Sequence, residues 1–361
     1  MMPGIVRLAV PDDAQEATDL LRKLGLTMPG CAKTHWSRMW INNPALAGAG
    51  PHPPLGWVLE DDSGRMQGFF ANIPMAYCFG GNDVTVGCAS QWGVTKEWRS
   101  HVPQLAECYF TQNHSDLLLV TTAIKPTGRI FERFGGIKVP QDDLDRTAFW
   151  IGDAKGFLAS VLRKQGRNPW PAAFLAPTLT FAAWLKRRLR SDLPSDDFEP
   201  EGAAPEIDAL WREKLQEAPR LLALRTATAL RWHYPKERGA QFFGLWRKGL
   251  LRGYGVLLAD HAPAIGLKRW RLADLLVLED DPLVIRALLA EAFRRAQQLG
   301  AHVLEISGLP KNLRAQLNLG GAFERPLPTW PAYYKTLNTK FDLTQEGSWY
   351  LTGYDGDATL V

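Results

Sequence analysis

One short segment combines a cationic side chain with a predicted helix start. Residues 99–104 read Arg-Ser-His-Val-Pro-Gln and run into a helix predicted at 102–110. The first backbone N–H groups of a helix have no partner inside it, and the helix dipole places positive charge there. Arg99 and these amides therefore favour binding of a phosphate group. Pro103 removes one donor, which is a small loss this early in a helix.

A segment of the second half, also placed before a predicted helix, has the opposite charge. Residues 278–282 read Leu-Glu-Asp-Asp-Pro, and their three carboxylates would repel a phosphate group. Helix capping explains these acids better than catalysis does, because carboxylates accept hydrogen bonds from the free amides of a helix N-terminus. Any anionic ligand is therefore expected in the first half of the chain.

The sequence shows no spacing typical of a metal site or of a common nucleophilic motif. There is no GxSxG elbow, HExxH motif or Walker phosphate loop. The cysteines form no CxxC pair, so they are expected to be reduced, as in the cytoplasm. The four are Cys31, Cys78, Cys88 and Cys108. We expect no metal.

The C-terminal end is rich in aromatic residues and finishes with an Asp-Gly-Asp sequence. Asp355 and Asp357 supply too few oxygen ligands for an EF-hand calcium site. We interpret this end as structural, and a contribution of its carboxylates to a substrate cleft is the second hypothesis.

Length and composition fit two globular domains. The chain has 361 residues, of which 46% are hydrophobic and 22% charged, and a net charge of +4. This charge is too small to indicate a nucleic-acid partner. Because no run of about 18 apolar residues occurs, no transmembrane segment is expected. The N-terminal residues lack the long apolar core of a secretory signal.

The glycines of the two halves share a register. A shift of 185 residues places Gly64, Gly68, Gly81, Gly135 and Gly136 on Gly249, Gly253, Gly266, Gly320 and Gly321. The register predicts an internal repeat of a whole domain. The alternative is two unrelated segments that each need glycines in their turns.

The predicted elements follow the same order in both halves. The first half opens with a strand at 5–10 and a helix that ends at Gly25. Predicted strands lie at 56–60, 67–73, 76–79, 83–89 and 117–120, with helices at 102–110 and 127–134. The second half has strands at 242–246, 254–258, 270–278 and 303–306 and a helix at 285–296. The fold class is α+β, with helices covering a mixed, mostly antiparallel sheet in each half.

The predicted domains cover residues 1–150 and 206–340, joined by a helical connector and linker at 151–205 and followed by a C-terminal extension at 341–361. Within the connector, residues 170–185 carry no charge and run into the basic residues 186–190. Our first hypothesis is a pair of helices that packs across both domains with its apolar residues buried. Pro171 and Pro177 favour it, because they interrupt a long amphipathic helix. The second hypothesis is peripheral contact of residues 170–190 with an anionic membrane surface.

The order of these elements resembles that of the GNAT acyltransferases, the Gcn5-related N-acetyltransferase superfamily. The pieces that carry the resemblance are residues 6–13, 64–68, 94–99 and 129–136. The likeness covers about residues 5–150 well and 210–335 more weakly. It implies a transferase with two tandem GNAT-like domains, the second of them degenerate.

The resemblance implies acetyl-CoA or another acyl-CoA as co-substrate. The acceptor would be the amine of a small molecule, carbohydrate or peptide. The phosphate-binding loop of the family reads Arg or Gln, two residues, Gly, one residue, then Gly or Ala. Residues 99–104 keep the Arg and lack both small residues. The implied cofactor-binding residues are Val94, Arg99, Ser100, His101, Val102 and Gln104.

The resemblance also bears on the acceptor and on catalysis. Trp36 and Trp40 lie where family members line the acceptor side. Stacking on a sugar or an apolar acceptor is one hypothesis for them, and a place in the core is the other. The family's Tyr, which protonates the leaving thiolate, would fall near Phe131, which has no proton to give. The catalytic residues stay open, and the nearby substitutes in sequence are Ser90, His101 and Tyr109.

Three functions compete. The first is an acyl-CoA-dependent N-acyltransferase with a catalytic first domain. The second is a non-catalytic binding or assembly module, indicated by the altered loop and by Phe131. The third is a relative of the aminoacyl-tRNA-dependent peptidyltransferases, which also carry twin GNAT-like domains; the modest positive charge gives it little support.

Overall fold

A computed structural model describes residues 4–26, 31–47, 52–189, 193–327, 332–338 and 341–360. The strands of the first half are β1 (Ile5–Leu8), β2 (Gly56–Glu60), β3 (Met66–Phe79), β4 (Asn82–Val94), β5 (Leu117–Val120), β6 (Ile137–Lys138) and β7 (Arg146–Ile151). Its helices are α1 (Ala14–Lys23), α2 (Ala32–Trp36), α3 (Val102–Thr111) and α4 (Lys125–Arg133).

The connector contains helices α5 (Ala154–Lys164) and α6 (Ala172–Lys186). The strands that follow are β8 (Asp196–Asp197), β9 (Leu221–Ala223), β10 (Gln241–Arg247), β11 (Leu250–Ala259), β12 (Arg269–Val277), β13 (Val303–Ser307), β14 (Phe323–Pro326) and β15 (Tyr333–Thr336). The remaining helices are α7 (Ala204–Leu215), α8 (Ala227–His233), α9 (Pro282–Gln298) and α10 (Lys311–Leu319).

The strands form two mixed sheets. The first has the order β1-β2-β3-β4-β5-β15-β6, with β9 also paired to β3. The second has the order β14-β7-β13-β12-β11-β10-β8. The pairs β4–β5 and β12–β13 are parallel, and the other pairs within the two sheets are antiparallel between described strands. The predicted α+β class, with mixed and mostly antiparallel sheets, is confirmed.

Each sheet contains a strand from the other half of the chain. β15 lies between β5 and β6 in the first sheet, and β7 lies between β13 and β14 in the second. Strand pairing therefore crosses the predicted domain limits at residues 150 and 340, and those limits stay predictions. Since neither sheet is complete without the other half, the two halves share one continuous core, which extends from Phe69 to Leu275.

The glycine register coincides with equivalent turns. Gly64 in the β2–β3 turn and Gly249 in the β10–β11 turn both have φ of 77°. Gly81 and Gly266 occupy the next turn in each half, with φ of 82° and 66°. Residues that carry a side chain rarely adopt these left-handed backbone conformations, so glycine is favoured at all four positions.

Helices cover the first sheet on both faces. On one face, α3 and α4 pack through residues such as Leu105 and Phe131. On the other, α1 and α2 contribute Leu21 and Trp36 to the core that continues into the second half. In the second half, α9 packs against β10–β13.

The connector forms the predicted pair of helices, but its apolar residues are not buried. Trp170, Phe174 and Phe181 have exposed fractions of 63–72%. Pro177 lies inside α6 without ending it. The hypothesis of a buried bridge is therefore wrong, because α6 turns its large side chains outward. Arg190 lies outside the described residues, and among those described no helix is long and apolar enough to cross a membrane.

Candidate functional site

The central strands of the first sheet diverge and open a cavity. Parallel pairing joins Val86–Cys88 of β4 to Leu117–Leu119 of β5, and β4 then continues to Val94. A cavity of about 310 Å³, which we call the first cleft, lies at this divergence. Its lining residues are Leu26, Phe70, Ala89, Ser90, Gln91, Trp92, Val120, Thr122, Ala123, Ile124, Thr127, Phe131 and Asp357. A mostly apolar wall with a few polar groups is typical of a small-molecule site.

A bulge in β4 shapes this wall. Phe70 of β3 opposes both Gln91 and Trp92, because the pairing register shifts at this point. Gln91 has φ of 46°, a backbone conformation that residues other than glycine rarely adopt. Bulges re-aim side chains and are frequent beside functional sites. Here Trp92 stacks on Phe70 at a ring-centroid distance of 4.5 Å and lies 5.6 Å from the ring of Phe131.

The carboxyl group of the first cleft comes from the C-terminal end of the chain. Asp357 is 5% exposed, and its Oδ2 accepts a hydrogen bond from Ser90 Oγ at 2.9 Å. Its Oδ1 accepts from Thr122 Oγ1 at 2.8 Å and from Thr121 Oγ1 at 3.3 Å. Burial raises the pKa of Asp357, although the three hydroxyl donors act in the opposite direction. A buried carboxyl with a raised pKa in an apolar cleft is suited to proton transfer.

Two neighbours hold Asp357 in place. Asp355 forms a buried ion pair with Arg225 at 3.1 Å, which anchors the segment in the core between the two sheets. Gly356 has φ of 72°, and a Cβ there would collide with the side chain of Thr121. Asp355 therefore anchors the segment, Gly356 allows the chain to turn, and Asp357 lies in the cleft. Asp357 lines the cleft, as the second hypothesis for this end of the chain requires, and whether it also acts there stays open. The described residues contain no metal-binding cluster of His, Cys, Asp or Glu.

Gln91, which lines the cleft, connects it to a second buried polar side chain, that of His35. Gln91 Nε2 lies 2.6 Å from His35 Nε2, and both side chains are buried. Burial lowers the pKa of His35 to about 4, and Arg38 and Arg238 act in the same direction, so the imidazole is neutral at pH 7. Gln91 Oε1 and His35 Nδ1 have no hydrogen-bond partner among the described residues. Sequence reasoning missed His35, which no motif marks.

The predicted phosphate-binding segment has a different local structure. Residues Lys96–His101 form a 3₁₀-helix, whose own hydrogen bonds use its amides, and it runs directly into α3. The N–H of Val102 donates to Arg99 O, and Pro103 has no N–H, so two of the first α3 residues offer no free donor. The prediction of a loop whose backbone N–H groups are free to bind a phosphate is therefore only partly met.

The predicted cofactor-binding residues come shortly after the β4 residues of the first cleft in the sequence, but they do not line the cleft. Arg99, Ser100 and Gln104 are exposed, Val102 is half-buried, and Val94 and His101 are buried. The ring of His101 packs 5.1 Å from that of Trp98. Their role in cofactor binding stays a prediction.

Two other predicted groups belong to the core. Trp36 and Trp40 are each 5% exposed, their rings lie 4.7 Å apart, and Trp40 Nε1 donates to Asn72 O. Protein contacts thus occupy the faces predicted to stack on a substrate, which corrects that assignment. Tyr109 OH donates to Gly87 O at 2.7 Å and Leu119 O at 3.1 Å. It joins β4 to β5 where they diverge, and of the three substitutes only Ser90 lines the cleft.

The second half has a larger opening at the equivalent place. A cavity of about 580 Å³, the second cleft, lies beyond β12 and β13. Asp280 lies on its wall and pairs with Lys214 at 2.9 Å and Arg220 at 2.7 Å. Burial acts to raise the pKa of Asp280, but these two cations hold it below its usual value. Glu217 also pairs with both cations, so two carboxylates balance two cations and no net positive charge remains for a phosphate.

The acidic residues at 279–281, predicted to cap a helix, have different roles in the structure. Asp281 accepts from the amides of Leu283 and Val284 and caps α9, as predicted. Asp280 is instead part of the buried ion cluster. The C-terminal segment also covers β12, because Tyr350 OH donates to Leu275 O at 3.0 Å and Gly353 approaches the backbone of Ala273 closely. The first cleft is therefore the better candidate, although the second is larger.

Comparison with known proteins shows the fold. No family model and no curated protein matches the sequence. A GCN5-related N-acetyltransferase from Anabaena variabilis matches in structure with a TM-score of 0.58 at 12% identity, over 92% of this chain and 73% of that one. N-myristoyltransferase from Saccharomyces cerevisiae with bound myristoyl-CoA matches with a TM-score of 0.56 at 9% identity, over 93% and 79% of the two chains.

A third solved structure belongs to a probable N-acyltransferase from Enterococcus faecalis. It matches with a TM-score of 0.58 at 9% identity, over 93% of this chain and 73% of that one. Identities this low establish the fold alone. The resemblance to the GNAT fold that the sequence indicates is confirmed.

Proposed function

We propose that this chain, which has the fold of the N-acyltransferases, transfers an acyl group from acyl-CoA to an amine in the first cleft. The observation that carries the proposal is Asp357, a buried carboxyl group placed at the divergence of β4 and β5. The yeast N-myristoyltransferase with bound myristoyl-CoA, which shares the fold, supports acyl-CoA as donor.

The chemistry requires a base. An amine is protonated at neutral pH and cannot attack a thioester carbonyl until it loses a proton. Asp357 takes that proton, the amine nitrogen bonds to the carbonyl carbon, and the C–S bond breaks. The nitrogen of the adduct gives its second proton to the departing CoA sulfur, which leaves a neutral amide and free CoA, and Asp357 returns the first proton to water. Thiols ionise near pH 8.5, so protonation of the sulfur needs little help from the protein.

The apolar wall serves the same reaction. Phe70, Trp92 and Phe131 pack on one another and line the same cleft as Asp357. Such surroundings exclude water, which strengthens the electrostatic effect of Asp357 and limits hydrolysis of the thioester. Ser90 and Thr122 orient the carboxylate through their hydroxyl groups.

Calorimetric titration with acetyl-CoA, octanoyl-CoA and myristoyl-CoA tests the proposal and reports the preferred acyl length. We expect saturable binding of at least one of them, followed by thiol release when an amine acceptor is added. Asp357→Asn should keep the binding and lose the transfer. The absence of binding by all three donors would overturn the proposal.

One observation favours a second candidate, a non-catalytic module on the same fold. The 3₁₀-helix Lys96–His101 and Pro103 reduce the free amides available to a pyrophosphate. A module of this kind would bind none of the acyl-CoAs, so the same titration separates the two candidates.

A further inference from the structure

The part of the connector that contains α5 and α6 differs from the rest of the chain in charge. Residues 154–191 contain eight Lys and Arg and no Asp or Glu. The remaining residues then hold 34 Lys and Arg against 38 Asp and Glu, and are net acidic. A segment of one charge sign on an otherwise acidic protein favours contact with an oppositely charged surface.

The same segment exposes large apolar side chains. α6 packs on α5 and turns small residues such as Ala172, Ala176 and Ala183 toward the protein. The outward residues have exposed fractions of 53–72%, and they are Trp170, Phe174, Leu175, Phe181, Trp184 and Leu185. A helix that is apolar all round is normally buried in protein or in lipid.

Basic residues stand at both ends of this apolar surface. Lys164 and Arg167 are exposed at the turn between α5 and α6, and Arg188 is exposed after α6. Lys186 and Arg187 instead fix the base of the hairpin, with their charged groups 4.2 Å and 4.7 Å from the ring centres of Phe323 and Phe293. The hairpin is therefore firmly attached while its apolar surface stays open.

We propose that the α5–α6 hairpin docks flat on an anionic lipid bilayer, with the apolar side chains of α6 in the acyl–headgroup boundary and the basic residues at the headgroups. Trp170 and Trp184 suit this depth, because indole rings favour the interface. α6 has 15 residues and is about 22 Å long, too short to cross a hydrocarbon core of about 30 Å.

A second copy of the chain is a poorer partner for this surface. In a two-fold dimer the same patch faces itself, so the basic residues of both copies would be brought together and repel. An anionic bilayer satisfies both the charge and the apolar surface. The inference goes beyond the proposed acyl transfer and does not depend on it.

Co-sedimentation of the intact protein with vesicles tests the inference. We expect binding to phosphatidylcholine vesicles that contain 30% phosphatidylglycerol, weaker binding to phosphatidylcholine alone, and release as salt rises. The triple variant Lys164→Gln/Arg167→Gln/Arg188→Gln should bind about a hundredfold more weakly, because each surface cation contributes about fivefold.

A second triple variant tests the apolar contribution. Phe174→Ser/Phe181→Ser/Trp184→Ser should lose vesicle binding while its melting temperature stays unchanged, since these side chains are exposed. The matched control Ile41→Ser/Leu250→Ser/Leu283→Ser removes three exposed apolar side chains elsewhere and should bind normally.

Three results would overturn the inference. The first is failure of the folded, intact protein to bind the anionic vesicles. The second is vesicle binding that the apolar variant retains. The third is a dimer in sedimentation velocity that the apolar variant converts to a monomer without any vesicle binding, which would assign the surface to a second copy.

Discussion

Asp357 Oδ2 and Ser90 Oγ lie 2.9 Å apart although 267 residues separate them in the chain. This hydrogen bond joins the C-terminal segment to β4 at the point where the first cleft opens. A carboxyl group brought from so far along the chain places residues of both halves in one candidate site.

Replacing Asp357 with Asn should reduce acyl transfer about 10²–10⁴-fold, the usual contribution of a general base, and leave acyl-CoA affinity unchanged. Because the base acts when ionised, the wild-type rate should fall on acidification through the raised pKa of Asp357. That acid limb should be absent from the Asn variant. Asp342→Asn, which alters an exposed carboxyl group, is the control and should keep the full rate and the acid limb.

Gly356→Ala should impair activity through position alone. An added Cβ collides with Thr121, and φ of 72° is strained for alanine, so Asp357 should shift away from Ser90. We expect a lower kcat, an unchanged affinity for acyl-CoA, and a stability loss of about 1 kcal/mol. Gly347→Ala has open space for its Cβ and serves as control. Full activity of Gly356→Ala would contradict the positioning role.

His35 should make stability depend on pH. Its pKa is lowered by burial to about 4, so below the unfolded value near 6.5 the unfolded chain takes up protons that the folded chain does not. Stability should therefore fall as pH drops from 6.5 toward 4, by about 2 kcal/mol between pH 7 and pH 5 from this residue. Urea unfolding at both pH values should show a smaller difference for His35→Gln than for the wild type. The exposed His114→Gln variant should match the wild type.

The ion cluster of the second cleft should contribute to stability and not to cofactor binding. Asp280→Ala leaves Lys214 and Arg220 buried with one carboxylate between them, and breaking such a pair costs about 3–5 kcal/mol. Glu279→Gln alters an exposed neighbour and should have no measurable effect on the melting temperature. Calorimetry of both folded variants should give the wild-type acyl-CoA affinity; a loss in either one would move the cofactor to the second half.

Arg99 is the charged group predicted to meet the cofactor phosphates. It is exposed in the 3₁₀-helix that precedes α3. Arg99→Glu should weaken acyl-CoA binding about tenfold or more, because a hydrogen bond between charged groups contributes about 1.5–3 kcal/mol. Arg65→Glu makes the same charge change at an exposed turn and should leave the affinity unchanged. Equal losses in the two variants would indicate a general charge effect and no phosphate site at residue 99.

The sequence by itself determined the local elements and their order. β2 and β5 have the bounds predicted from apolar runs and turn residues, and the α9 region follows its apolar periodicity. Gly64 and Gly249 mark equivalent turns because a left-handed backbone favours glycine wherever it occurs. These features depend on residues close together in the chain, so a pattern in the sequence is enough to reveal them.

Tertiary structure alone decided which distant segments meet. β7 pairs in the second sheet and β15 in the first, although each comes from the other half of the chain. Strands of similar hydrophobic pattern compete as partners, and no local sequence signal selects among them. Asp357 reaches Ser90 because Asp355 and Gly356 direct the chain there, which only the folded core shows. The apolar residues of α6 have the composition of a buried helix, and their exposure is decided by what packs around them. Periodicity records the faces of an element; it does not record which surface covers them.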